Sequence, residues 1–112
     1  MNDIKLVVNL DNKGYGELIT EQIIGEFEAL LINSPTKSQV TIYSENGYLI
    51  YDSMEVEGIM YIPIRVQGID NQGHRIGFSC EEYLLNEKLV IRVQNIVRDF
   101  KQNEIKLMLR IS

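Results

Sequence analysis

The sequence predicts an all-β domain: a single antiparallel β-sandwich, jelly-roll or Ig-like, of seven or eight short strands over residues 1–112. Three observations carry this expectation. Asn46-Gly47 separates two β-rich runs, Val40–Ser44 and Tyr48–Asp52. Asn-Gly between such runs favours a hairpin because both residues tolerate positive φ. Residues 3–10 and 105–111 alternate apolar and polar side chains with period two, as a strand with one buried face requires. Turn-forming clusters at residues 11–16 and 68–73 cut the chain into strand-length pieces, the spacing of a sandwich or small barrel.

In chain order, Ile4, Leu6, Val8 and Leu10 share one face of the first strand, and Lys5, Val7 and Asn9 the other. Residues 18–32 admit two readings. A short helix would gather Ile19, Ile23, Ile24, Phe27, Leu30 and Leu31 on one stripe, with Thr20 as its cap. A strand avoids the roughly 1 kcal/mol cost of Gly25 inside a helix and gives that glycine a place at a β-bulge. The strand is favoured because its neighbours are all β. Asn33-Ser34-Pro35-Thr36 reads as a turn leading into the hairpin.

The hairpin has two registers. A two-residue Asn46-Gly47 loop pairs Ile42 with Tyr51. A three-residue Glu45-Asn46-Gly47 loop, with Gly47 left-handed, pairs Ser44 with Tyr48 and Ile42 with Ile50. The longer loop is preferred because it collects Val40, Ile42, Tyr48 and Ile50 on one nearly aliphatic face, leaving Thr41, Tyr43, Leu49 and Tyr51 on the other. Residues 53–58 then read as an acidic connection, and residues 59–66 as a strand whose Pro63 marks a sheet edge or a bulge. Arg75 to Phe78 is a short return strand, Tyr83 to Gln94 contains another, and Ile105 to Ile111 closes the domain.

The chain is 45% hydrophobic and 24% charged, within the globular range. No apolar run approaches the roughly 18 residues of a membrane span. The first residues lack the basic and apolar stretches of a signal peptide, so neither a leader nor a membrane partner is expected. The net charge of −5 is unevenly placed: residues 14–64 hold eight acids and a single base, Lys37. That half does not suit a phosphate backbone, so no nucleic-acid partner is expected. Such asymmetry favours head-to-tail contacts between copies, although a solvated surface accounts for it equally.

Chemistry-bearing residues are sparse. His74, the one histidine, adjoins Gly73 in a turn cluster and has no metal-ligand spacing around it. Cys80 reads as a structural thiol. Asp70-Asn71-Gln72-Gly73 lacks the further acids of a calcium loop. No catalytic constellation, cofactor or metal is expected. Tyrosines are more suggestive, with Tyr43, Tyr48, Tyr51 and Tyr61 gathered around the hairpin and the next strand. A tyrosine presents apolar area and a hydroxyl together, which suits interfaces, although cross-strand packing also uses it. Tyr43, Leu49, Tyr51 and Tyr61 are therefore the candidate contact residues.

The runs Asn33-Ser34-Pro35, Thr41 to Asp52, Tyr61-Ile62-Pro63-Ile64-Arg65 and Tyr83 to Val90 together resemble small β-sandwich structural proteins of tailed-bacteriophage virions. The resemblance spans roughly residues 20–95 and is one of arrangement, without a diagnostic motif. It implies a non-enzymatic capsid or tail accessory protein, assembled into the virion in the host cytoplasm. Such a protein acts through contacts with other virion proteins or copies of itself. The alternative reading is a carbohydrate-binding β-sandwich module that uses Tyr43 or Tyr51 as a stacking platform.

Overall fold

The computed structural model describes residues 2–63, 68–69, 75–76, 84–96 and 104–112. His74, Cys80 and the Asp70–Gly73 segment lie outside these residues. The strands are β1 (Asn2–Asn9), β2 (Tyr15–Ile19), β3 (Ile23–Ser44), β4 (Leu49–Pro63), β5 (Gly68–Ile69), β6 (Arg75–Ile76), β7 (Leu84–Glu87), β8 (Leu89–Asn95) and β9 (Glu104–Ile111). Seven of them form one antiparallel sheet that curls until it is nearly closed, like a barrel, and among the described residues β5 pairs only with β6. The expected all-β class holds, and among the described residues there is no helix.

The strand β3 organises the molecule. At 22 residues it is far longer than the usual strand of about 5–6. Its first four residues pair with β7, from Ile23↔Glu87 to Glu26↔Leu84. It next pairs with β9, from Phe27↔Ile111 to Asn33↔Lys106, and its last part pairs with β8, from Ser38↔Asn95 to Ser44↔Leu89. Since β4 pairs with β3 opposite both β9 and β8, those two strands lie end to end along one edge of β3. Outside them, β1 pairs with β9 over its full length and β2 pairs with β8. The result is two four-stranded faces, β4-β3-β9-β1 and β4-β3-β8-β2, that share β3 and β4 and turn their apolar sides to one core.

The corner between the faces lies at residues 34–38, where a turn is expected from Asn33-Ser34-Pro35-Thr36. The structure instead carries the strand through. Five residues of β3, Ser34 to Ser38, lie opposite three on β4, Gly58 to Val56. This bulge bends the strand and gives Pro35 a place without a ladder donor. The polar groups it buries are satisfied locally. Ser34 Oγ donates to Thr36 O at 2.6 Å and lies 3.1 Å from Ser38 Oγ. Asn95 Nδ2 donates to Thr36 Oγ1 at 2.6 Å, and Ile96 N donates to Lys37 O at 2.9 Å.

Two other expectations change. Residues 53–58 are not a connection but the middle of β4, with Met54 at φ 57° and Gly58 at φ 83° absorbing irregularities. Residues 84–95 are two strands, β7 and β8, because the chain changes its position along β3 at Lys88. Among the described residues β4 pairs only with β3, which makes it the edge strand that Pro63 signals. Thr20 caps no helix. Its hydroxyl accepts from Leu89 N at 2.9 Å at the end of β2.

The core holds Val8 from β1, Phe27, Leu30, Ile32, Val40 and Ile42 from β3, Leu89, Ile91 and Val93 from β8, and Ile105 and Leu109 from β9, all fully buried. Each such side chain contributes about 1.5–3 kcal/mol when taken from water. The β1–β2 turn is tied to the end of β8, where Asn95 N donates to Gly14 O at 2.7 Å. Asp11 Oδ1 accepts from Lys13 N at 2.8 Å and Tyr15 N at 3.0 Å. Those two backbone donors, Tyr15 first, hold the Asp11 carboxyl below its ordinary range.

Candidate functional site

The hairpin decides where the candidate residues point. Its tip is the three-residue loop. Ser44 N donates to Tyr48 O at 2.8 Å, Gly47 N donates to Ser44 O at 3.0 Å, and Gly47 has φ 93°. One step further the register slips, because Tyr43 faces Leu49 while Ile42 faces Tyr51. Ile50 is the extra residue, and consecutive Ile50 and Tyr51 are both buried. The shared face of Tyr43, Leu49 and Tyr51 therefore does not form. Tyr51, 7% exposed, joins the core beside Ile42, whereas Tyr43 and Leu49 remain together on the outside.

Tyr61 lies on the other outer face. There the registers align two rows across four strands, Lys5–Met108–Leu31–Tyr61 and Val7–Lys106–Asn33–Ile59. Tyr61 is 57% exposed, Ile59 73% and Val7 44%. A groove of ≈ 320 Å³ runs along this face, with Leu31, Val7 and Met108 in its lining and Lys5 and Lys106 beside them. Glu57 of β4 is exposed at the corner end of this face, and Glu55 is exposed past the corner, across from Gln39. Arg110, paired to Asp3 at 3.1 Å, has its protonated form favoured first by that carboxylate and further by Tyr61 beside it.

A second groove, ≈ 340 Å³, lies on the β4-β3-β8-β2 face and is polar. Tyr15, Gln39, Thr41, Tyr43, Asp52, Arg92 and Gln94 line it, with Val93. The Arg92 guanidinium stands 5.1 Å from the Tyr43 ring centroid, and its Nε donates to Glu17 Oε2 at 2.8 Å. That hydrogen bond favours the charged form of Arg92. Gln39 Nε2 donates to both Asp52 oxygens, at 2.9 and 3.1 Å, and Met54 N donates to Asp52 Oδ1 at 2.9 Å.

No family model, curated protein or solved structure matches this chain. Among the described residues no three His, Cys, Asp or Glu side chains are grouped as metal ligands. No described helix is long and apolar enough to cross a membrane.

Sequence reasoning singles out Tyr43, Leu49 and Tyr61 but misses the residues that make their surroundings. Val7 and Met108 sit on the polar-facing sides of two alternating strands, and that break in the pattern was the available signal. Gln39, Arg92 and Gln94 carried none, since only strand pairing brings them together.

Proposed function

We propose that this protein is a non-enzymatic assembly component, a virion protein of the kind its sequence resembles, that works by contact between copies through the β4-β3-β9-β1 face. In this reading the domain behaves as a sandwich, presenting two opposite outer faces from rigid sheets. The observation that carries the proposal is the apolar surface of this face, with Val7, Ile59 and Tyr61 exposed and Leu31 half-buried, beside β4, which among the described residues pairs only with β3. Exposed apolar area in a continuous patch favours association, and an uncovered edge strand adds backbone donors and acceptors.

Geometry supports a second copy as the occupant. Tyr61 and Ile59 lie on β4, and Lys5 and Val7 on β1, the two outer strands of this face. A two-fold axis along the strands, between β9 and β3, sets β4 of one copy over β1 of the other. Ile59 then meets Val7, Tyr61 meets Lys5 and Leu31 meets Met108, the arrangement of a self-complementary interface.

Analytical ultracentrifugation of the whole chain tests this. The wild type sediments as a defined oligomer, and Tyr61→Lys or Ile59→Lys yields a folded monomer. A wild type that stays monomeric up to its solubility limit overturns the copy-to-copy reading, as does an oligomer insensitive to both changes.

A further inference from the structure

We propose that the polar groove on the β4-β3-β8-β2 face binds a neutral oligosaccharide. Charge narrows the ligand class first. Among the described residues, Arg92 is the only cation lining the groove, and Glu17 already pairs with it at 2.8 Å. The Asp52 carboxylate remains beside it, so the local field disfavours phosphate, sulfate and acidic ligands.

The remaining groups suit a ligand that both donates and accepts. Gln39 turns its Nε2 to Asp52 and leaves Oε1 as an acceptor. Gln94, directly across from Gln39, likewise commits Nε2, at 3.0 Å to Asn95 O. Arg92 uses Nε for Glu17, which leaves its terminal amino groups as donors. Sugar hydroxyls match such a mixed set.

Tyr15 and Tyr43 supply the apolar component. A tyrosine ring offers a face to the C–H side of a pyranose and a hydroxyl to its rim. Tyr15 lies across from Gln94, and Tyr43 across from Val90. Four residue steps along β8 and two strand spacings across it separate those positions by about 16 Å, the span of a short oligosaccharide rather than a single sugar. All these side chains rise from hydrogen-bonded strands and several hold one another in place, so little ordering entropy opposes binding.

The test is an NMR titration of the full chain with neutral trisaccharides of glucose, galactose and N-acetylglucosamine, and with a uronic-acid trisaccharide. At least one neutral trisaccharide gives saturable shifts at the Tyr15, Thr41, Tyr43 and Arg92 amides, and the acidic one binds more weakly. Tyr43→Ala, and separately the more exposed Tyr15→Ser, each weaken binding about tenfold. Tyr61→Lys leaves it unchanged, which separates this groove from the assembly face. No saturable shift with any neutral trisaccharide overturns the proposal. So does tighter binding of the acidic one, or affinity untouched by both tyrosine changes in folded protein.

Discussion

Gly16 shows how much one missing side chain sets. It lies in β2 against the end of β1, and a Cβ there would overlap the Asn9 carbonyl oxygen and stand 2.8 Å from Val8 Cγ1. The near-closure of the sheet depends on this approach, because β1 and β2 meet without a continuous ladder. Gly16→Ala is expected to force the two strands apart and destabilise the protein by about 1–3 kcal/mol, the usual cost of overpacking. Thermal unfolding followed by circular dichroism checks it, and a midpoint within 1 °C or so of wild type would show that the seam yields freely. The same scale explains Tyr51. A single extra residue, Ile50, turns a candidate contact tyrosine into a core residue.

At the scale of elements, the corner of β3 is the decisive feature. An apolar strand of 22 residues cannot stay flat and still close a small core. The bulge at 34–38 bends it; Ser34 and Ser38 donate to the Thr36 carbonyl freed from the ladder, and Asn95 donates to the Thr36 hydroxyl. Ser38→Ala leaves the fully buried Ser34 hydroxyl with one partner fewer and is expected to cost about 1–3 kcal/mol. Urea denaturation measures this, with an unchanged midpoint as the contrary result. The sequence made β1, β9 and the hairpin tip legible because each is governed by local rules of alternation and turn chemistry. The corner was illegible for a physical reason: Asn-Ser-Pro-Thr suits a turn and a bulge alike, and only the shared partner β4 selects the bulge. The polar groove was hidden in the same way. Tyr15 and Tyr43 are separated along the chain and come to one face through their separate pairings with β8.

For the whole molecule, the question is whether its two faces unfold as one. Their ladders are separate, since β9 and β1 make one and β8 and β2 the other, yet both are built on β3 and both close over one hydrophobic cluster. Neither half retains a covered core alone: Leu30 and Ile32 of the first and Ile42 and Ile91 of the second are all fully buried in the assembled barrel. Losing either face exposes both sets, which makes partial unfolding nearly as costly as global unfolding. Ile42→Ala tests this from the second face, with an expected loss of about 2–5 kcal/mol from the removed side chain and the cavity left behind. Native-state hydrogen exchange should then show the Leu107 and Leu109 amides in β9 losing as much protection as the Ile91 and Val93 amides in β8, although β9 is not paired with the altered end of β3. If β9 kept its protection while β8 lost it, the faces would be separate cooperative units. The shared strand would then be a hinge between them instead of the element that binds them into one fold.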